Sequence, residues 1–312
     1  EGSLSCNDYL YMKSGQPGIR MKHENDHLAV AGSIYINSGI DCHLELQKGS
    51  LELKGDYLEM QSSQSGEGNF QGSGIQAGEE FRMVLTGEGS QMLDIESEDS
   101  CIPNIEMQGD APRRLYLAKR NTIVNYNEEL CEIYEGVYRL TQEHYDFERR
   151  QYTRSGNYYY DIVYLESGAF ESHSYYMNVY GDFYQNGTVT IKDYLWRVYG
   201  NYGVQSLMKE NDEIVTAPSE GSLRIASGNY LNVYGDLTME SLQDQTGMLE
   251  RGGLNLYGSL YQRGEGISNF VPEEGFRIEF FENRDGKANC VDFQDTEHNW
   301  LPELRGQNIE LQ

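Results

Sequence analysis

Leu231 to Gln262 reads LNVYGDLTMESLQDQTGMLERGGLNLYGSLYQ, two short alternating runs each closed by a glycine. In the first, Leu231 and Val233 point one way and Asn232 and Tyr234 the other; Gly235 and Asp236 then turn the chain before Leu237 and Met239. The second repeats that order with Leu254, Leu256, Gly258, Ser259 and Leu260, so the glycines recur after 258 − 235 = 23 residues. Alternation with a period of two is the signal of a β-strand.

The same phrase stands near the start, where Leu28, Val30, Gly32, Ser33 and Ile34 are followed by Leu51, Leu53, Gly55, Asp56 and Tyr57. Each of these positions lies 235 − 32 = 203 before its counterpart. A third copy, Met177 to Gln185, is answered 19 residues later (198 − 179) by Trp196 to Tyr202. A fixed period of roughly 20 to 50 residues implies stacked units, and short strands closed by glycine turns predict an all-β chain, a β-solenoid or a closely related stacked sheet. Leu53, Val179, Val198, Val233 and Leu256 are expected to face inward. Gly55, Gly181, Gly200, Gly235 and Gly258 are expected in turns that have no room for a Cβ.

A sequel extends the duplication. After the first pair of runs come Asn69-Phe70, Glu79 to Leu85, Met92 to Ile95 and Ile102 to Ile105; after the last pair come Asn269-Phe270, Glu273 to Phe280, Cys290 to Phe293 and Leu301 to Leu304. Residues 28–107 and 231–306 thus form one duplicated module. The organisation read from the chain is a leading segment 1–27, a first β-repeat module 28–112, an irregular strand-rich connection 113–176, and further coils with the second copy over 177–312, together one continuous elongated array. Within the connection, Leu130, Ile133, Tyr134 and Val137 stand at helical spacing. A short helix near 128–140 therefore competes with strand, because Ile133 to Leu140 also alternates and Gly136 weakens a helix.

The chain of 312 residues is long enough to bury a substantial core. Its 25 tyrosines extend a modest apolar fraction with rings that lie on a sheet and keep their hydroxyls wet. The formal charge of −26 opposes nucleic acid and anionic lipid. It suits a soluble sheet surface, a cation or a basic partner. There is no apolar run of about 18 residues, so membrane insertion of this segment is not expected. The chain does not start with a methionine, which suggests a processed or excised piece. Cys6, Cys42, Cys101, Cys131 and Cys290 are scattered and odd in number, without a C-x-x-C pair, so zinc and thioredoxin-like chemistry lack support.

Several groups of residues are candidate sites. His23 and His27 flank Glu24 and Asp26, but no third ligand follows at a familiar spacing. Asp56, Asp182 and Asp236 follow coil glycines, yet their equivalents are Ser33, Asn201 and Ser259, the residue types that satisfy turn backbones. Acidic Glu96, Glu98 and Asp99 could serve a glycan-processing β-helix, which needs paired carboxylates in a groove. Glu148-Arg149-Arg150 with Arg154 is a locally basic spot. Tyr158, Tyr159, Tyr160, Tyr175 and Tyr176 form either a row that stacks sugars or an aromatic ladder along a sheet. No P-loop, dinucleotide fingerprint, G-x-S-x-G elbow, H-E-x-x-H or calcium-loop motif is present, and Cys42-His43 is an adjacency that splits across the two faces of a strand. Accordingly no catalytic, cofactor-binding or metal residue is assigned, and calcium finds no motif.

The phrases Val179-Tyr180-Gly181-Asp182-Phe183-Tyr184-Gln185-Asn186-Gly187-Thr188-Val189-Thr190-Ile191 and Tyr230 to Leu237 resemble repeats in large surface or secreted proteins of Firmicutes, clostridia especially. The resemblance covers most of 28–306 and fails over 125–170. It implies a repetitive extracellular β-rich scaffold and assigns no activity to the repeat. The expected function is an extracellular scaffold or adhesin-like surface protein without catalysis, its partners a surface protein, a glycan or itself. The alternatives are a carbohydrate-binding module using exposed tyrosines and a β-helix glycan-processing enzyme.

Overall fold

The computed structural model describes residues 2–13, 18–38, 44–61, 74–97, 100–118, 125–151, 156–172, 176–192, 194–283, 285–306 and 308–312. Cys42, His43, Asn69, Phe70, Glu98, Asp99, Arg154 and Tyr175 lie outside these residues, as do the side chains of Glu148, Arg149 and Arg150. The chain is nearly all β and divides into two compact units, Glu1–Tyr138 and Arg139–Gln312.

In the first unit the chain alternates between two parallel sheets. One takes Ser3–Cys6, His27–Val30, Leu44–Leu53, Ile75–Leu85, Asn104–Met107 and Asn125–Tyr126; the other takes Leu10–Lys13, Ile34–Ser38, Tyr57–Gln61, Gln91–Asp94, Arg113–Leu117 and Cys131–Glu135. The 23-residue period is the hydrogen-bonding register itself, with Leu28 opposite Leu51 and Val30 opposite Leu53. Inward residues of both sheets, among them Leu51, Leu53, Met83 and Leu85 from one and Ile34, Ile36, Tyr57 and Leu93 from the other, share a single core. A strand buried on one face cannot slip by one residue without turning its whole apolar set to water. The repeated alternation therefore locks the stack.

The second unit is built the same way. Gly156–Tyr158, Tyr176–Val179, Leu195–Val198, Tyr230–Val233, Gly253–Leu256, Arg277–Phe280 and Leu304–Gly306 form a seven-stranded parallel sheet. Tyr158, Val179, Val198, Val233, Leu256 and Phe280 make one inward column of it. A second parallel sheet carries Ile162–Leu165, Asp182–Gln185, Tyr202–Glu210, Leu237–Met239, Leu260–Gln262, Asn289–Phe293 and Ile309–Leu311, and a third carries Ala169–Ser172, Thr188–Ile191 and Leu223–Ile225. The 19-residue step reappears as Met177 opposite Trp196. Trp196, fully buried, meets Phe183 at 5.2 Å between ring centroids and Phe170 and Tyr202 at 6.2 Å.

Leu53, Val179, Val198, Val233 and Leu256 are each 0% exposed, as their spacing predicts. The five turn glycines do lie at bends, yet none has a left-handed φ. Their reason is crowding. A Cβ on Gly181 would fall 2.0 Å from the Tyr160 carbonyl oxygen and 2.4 Å from that of Asp161, in the coil before it.

Three expectations need correction. The leading segment 1–27 already carries strands of both sheets, since Ser3–Cys6 pairs in parallel with His27–Val30 and Leu10–Lys13 with Ile34–Ser38. The stretch 113–176 is mostly regular: Arg113–Leu117 pairs with Cys131–Glu135, and Ile162–Leu165 with Asp182–Gln185. It also contains the boundary between the units. Finally, 131–139 is strand rather than helix, broken at Gly136 with φ 76°. The helix is instead Gln142–Gln151, started by Thr141, whose Oγ1 accepts the His144 N–H at 3.2 Å.

Candidate interaction surface

The turn carboxylates are structural. Asp182 Oδ1 accepts the Asn201 N–H at 2.7 Å, Asn201 Oδ1 accepts that of Asp236 at 2.9 Å, Asp236 Oδ1 accepts that of Ser259 at 2.7 Å, and Ser259 Oγ accepts that of Cys290 at 3.0 Å. Each side chain thus ties the corner of the next coil to its own. Ser33 Oγ accepts the Asp56 N–H at 3.0 Å, and Asp56 Oδ1 that of Met92 at 2.5 Å, in the first unit. These acids are held by backbone, as turn residues should be.

The acidic cluster at the start resolves similarly. Asp26 accepts the N–H groups of Gly2, Lys22 and His23 at 2.9 to 3.0 Å, and the His23 and Lys22 amides hold its pKa below the usual value. Among the described residues no three His, Cys, Asp or Glu side chains converge as a metal site. Cys6, Cys101, Cys131 and Cys290 are thiols. Among the described residues no helix is long and apolar enough to cross a membrane.

The tyrosines are organised more regularly than anything else on the surface. The residue after each member of the inward column from Tyr158 to Phe280 is aromatic, and Tyr159, Tyr180, Tyr199, Tyr234, Tyr257 and Phe281 stack one above another. Centroids are 4.3 to 4.9 Å apart and interplanar angles 3° to 16°. This is the spacing of neighbouring strands, so the ladder is a consequence of the register. Burial, then the hydrogen bond with Tyr159, pushes the Tyr180 phenol up.

Beside the ladder, the outward face of the same sheet presents a polar column of Asn157, Asn178, Arg197, Asn232, Asn255, Glu279 and Arg305, successive Cα partners across the strands. Asn178 donates to Asn157 and Asn255 to Asn232, both at 2.8 Å. The Arg197 guanidinium lies 5.2 Å from the centre of the Tyr176 ring. Tyr194, 55% exposed, meets Tyr230 edge-on at 6.5 Å.

Of the tyrosines singled out in sequence, Tyr159 joins the ladder, Tyr176 supports Arg197, and Tyr158 points into the core. Sequence reasoning misses the polar column, although asparagine alternating with the core leucines and valines signals it. Tyr199→Ala removes a ring stacked on two neighbours. It is expected to destabilise the second unit by about 2 kcal/mol, read by urea denaturation with tryptophan fluorescence, since both tryptophans, Trp196 and Trp300, belong to that unit. Tyr159→Ala, at the end of the ladder, should cost about half as much. No family model matches this chain, and neither the curated proteins nor the solved structures contain a match.

Proposed function

We propose that the chain is a β-solenoid scaffold of a secreted or cell-surface protein, adhesin-like and without catalysis. The observation that carries this reading is the stacked ladder. A sugar ring binds an aromatic side chain by its face, and both faces of Tyr180, Tyr199, Tyr234 and Tyr257 are already covered by neighbouring rings. The aromatic groups, like the turn carboxylates, serve the stacking of coils. Stacked coils share one core that no single coil could bury, and the product is a rigid surface for display. The extracellular setting rests on the resemblance to clostridial surface repeats.

A carbohydrate-binding reading keeps one observation in its favour, the exposure of Tyr159 and Tyr194. A glycan-array screen of the folded chain, with and without calcium, separates the two. The scaffold reading expects no competable signal in either condition. A signal that Tyr194→Ala abolishes would replace it with the carbohydrate-binding one.

A further inference from the structure

We propose that the outward face of the seven-stranded sheet joins two copies of this chain in a two-fold dimer. This goes beyond the scaffold reading and stands or falls independently of it. The whole chain carries 24 basic and 50 acidic residues. The seven strands of this sheet carry Arg197, Arg277, Arg305 and Glu279, with no lysine and no aspartate. Two copies of a strongly acidic protein repel each other. The repulsion is least where the acidic residues are missing, and that is here. Tyrosine and arginine are enriched, and aspartate and lysine depleted, at interface centres relative to ordinary surface, and this face follows that pattern.

The order of the polar column identifies the occupant. Place a two-fold axis parallel to the strands, midway between Asn232 and Asn255. The column then meets its own reverse. Asn232 faces Asn255 of the partner subunit, Arg197 faces Glu279 of the partner subunit, and Asn178 faces Arg305 of the partner subunit. Along the rim, Tyr234 comes opposite Tyr257 of the partner subunit. Every charge of the polar column meets an opposite charge or an amide, and the two-fold repeats each contact. Among the described residues Glu279 makes no ion pair within the chain, while Arg305 turns to Glu303 at 3.4 Å.

The test is sedimentation equilibrium of the full chain at about physiological ionic strength, with Arg197→Glu, Glu279→Arg and the double exchange. The wild type is expected at twice the 35.7 kDa chain mass. Each single reversal sets like charges opposite one another twice per dimer and is expected to weaken association about 100-fold or more, and the double exchange to restore it. Glu279→Arg is the sharper variant, because it lowers the net negative charge and would strengthen an association limited only by general repulsion. Unchanged circular dichroism and melting of each variant exclude misfolding. A monomeric wild type, single reversals with wild-type affinity, or a double exchange that stays dissociated would each overturn the proposal.

Discussion

Glu59→Ala is expected to destabilise the first unit by about 4 kcal/mol, while Glu59→Gln leaves it at least as stable as the wild type at neutral pH. Glu59 is 1% exposed. One carboxylate oxygen accepts the Tyr57 hydroxyl at 2.8 Å and that of Ser100 at 2.7 Å; the other accepts the N–H groups of Glu96 and Ser97, both at 2.7 Å. Truncation leaves the buried Ser97 N–H and the part-buried Glu96 N–H without this acceptor and opens a cavity besides. Glutamine keeps an oxygen toward those amides, and its NH₂ can donate to the two hydroxyls once they rotate. The second copy of the module already makes this choice. Gln262, 203 residues on, offers its Oε1 to the Asp295 N–H at 2.9 Å.

The same site makes stability depend on pH. Burial, outweighing its hydrogen bonds, raises the Glu59 pKa above the usual 4.5. The folded state therefore binds this proton more tightly than the unfolded one does. The associated stabilisation is complete below about 4.5 and fades as pH rises through the folded value. The advantage of Glu59→Gln over the wild type should thus be present at neutral pH and shrink steadily on acidification toward 4.5, as monitored by calorimetry. An advantage that grows on acidification would show that the carboxylate is stabilised in its charged form.

The second large effect is expected at Gly181→Ala, about 3 kcal/mol. Its φ is not left-handed, so backbone strain is not the cause. The added carbon would press on two carbonyl oxygens of the preceding coil, at 2.0 and 2.4 Å, and the coils would have to separate. Gly168 makes the control, with φ 83° and open space around its missing Cβ; Gly168→Ala should cost about 1 kcal/mol through conformation alone. Tryptophan fluorescence during urea denaturation measures both. Equal losses would mean that the corner glycines are not packing positions.

The alternating runs carry most of this architecture openly. Leu231 and Leu254 announce their pairing by spacing alone, because between parallel strands one repeat apart the sequence period and the hydrogen-bond register are one quantity. The helix Gln142–Gln151 is hidden because its sequence, QEHYDFERRQ, has no apolar stripe; Tyr145 and Phe147 stand two apart, as on a strand. The antiparallel hairpin of Tyr202–Glu210 and Glu213–Pro218 escapes the repeat pattern, although Asn211 and Asp212, both with positive φ, are typical residues for such a turn. Tyr202 closes one repeat and opens the hairpin with the same strand, so the periodic signal masks the local one. Glu59 cannot be told from the surrounding acids by local pattern. Only its alignment with Gln262 marks it as a position that wants an acceptor rather than a charge.

In-register parallel pairing of strands one repeat apart underlies the shared core, the turn ties and the ring ladder, and a cysteine pair tests it most directly. Asn232 and Asn255 are Cα partners on adjacent strands, about 4.8 Å apart and within the reach of a disulfide. Asn232 and Glu279 are two coils apart, roughly 9.6 Å. With mild oxidation of the purified chain and peptide mapping at monomer mass, Asn232→Cys with Asn255→Cys should close an intrachain disulfide, and Asn232→Cys with Glu279→Cys should not. Closure of the second pair but not the first would mean that the coils are not stacked in this order.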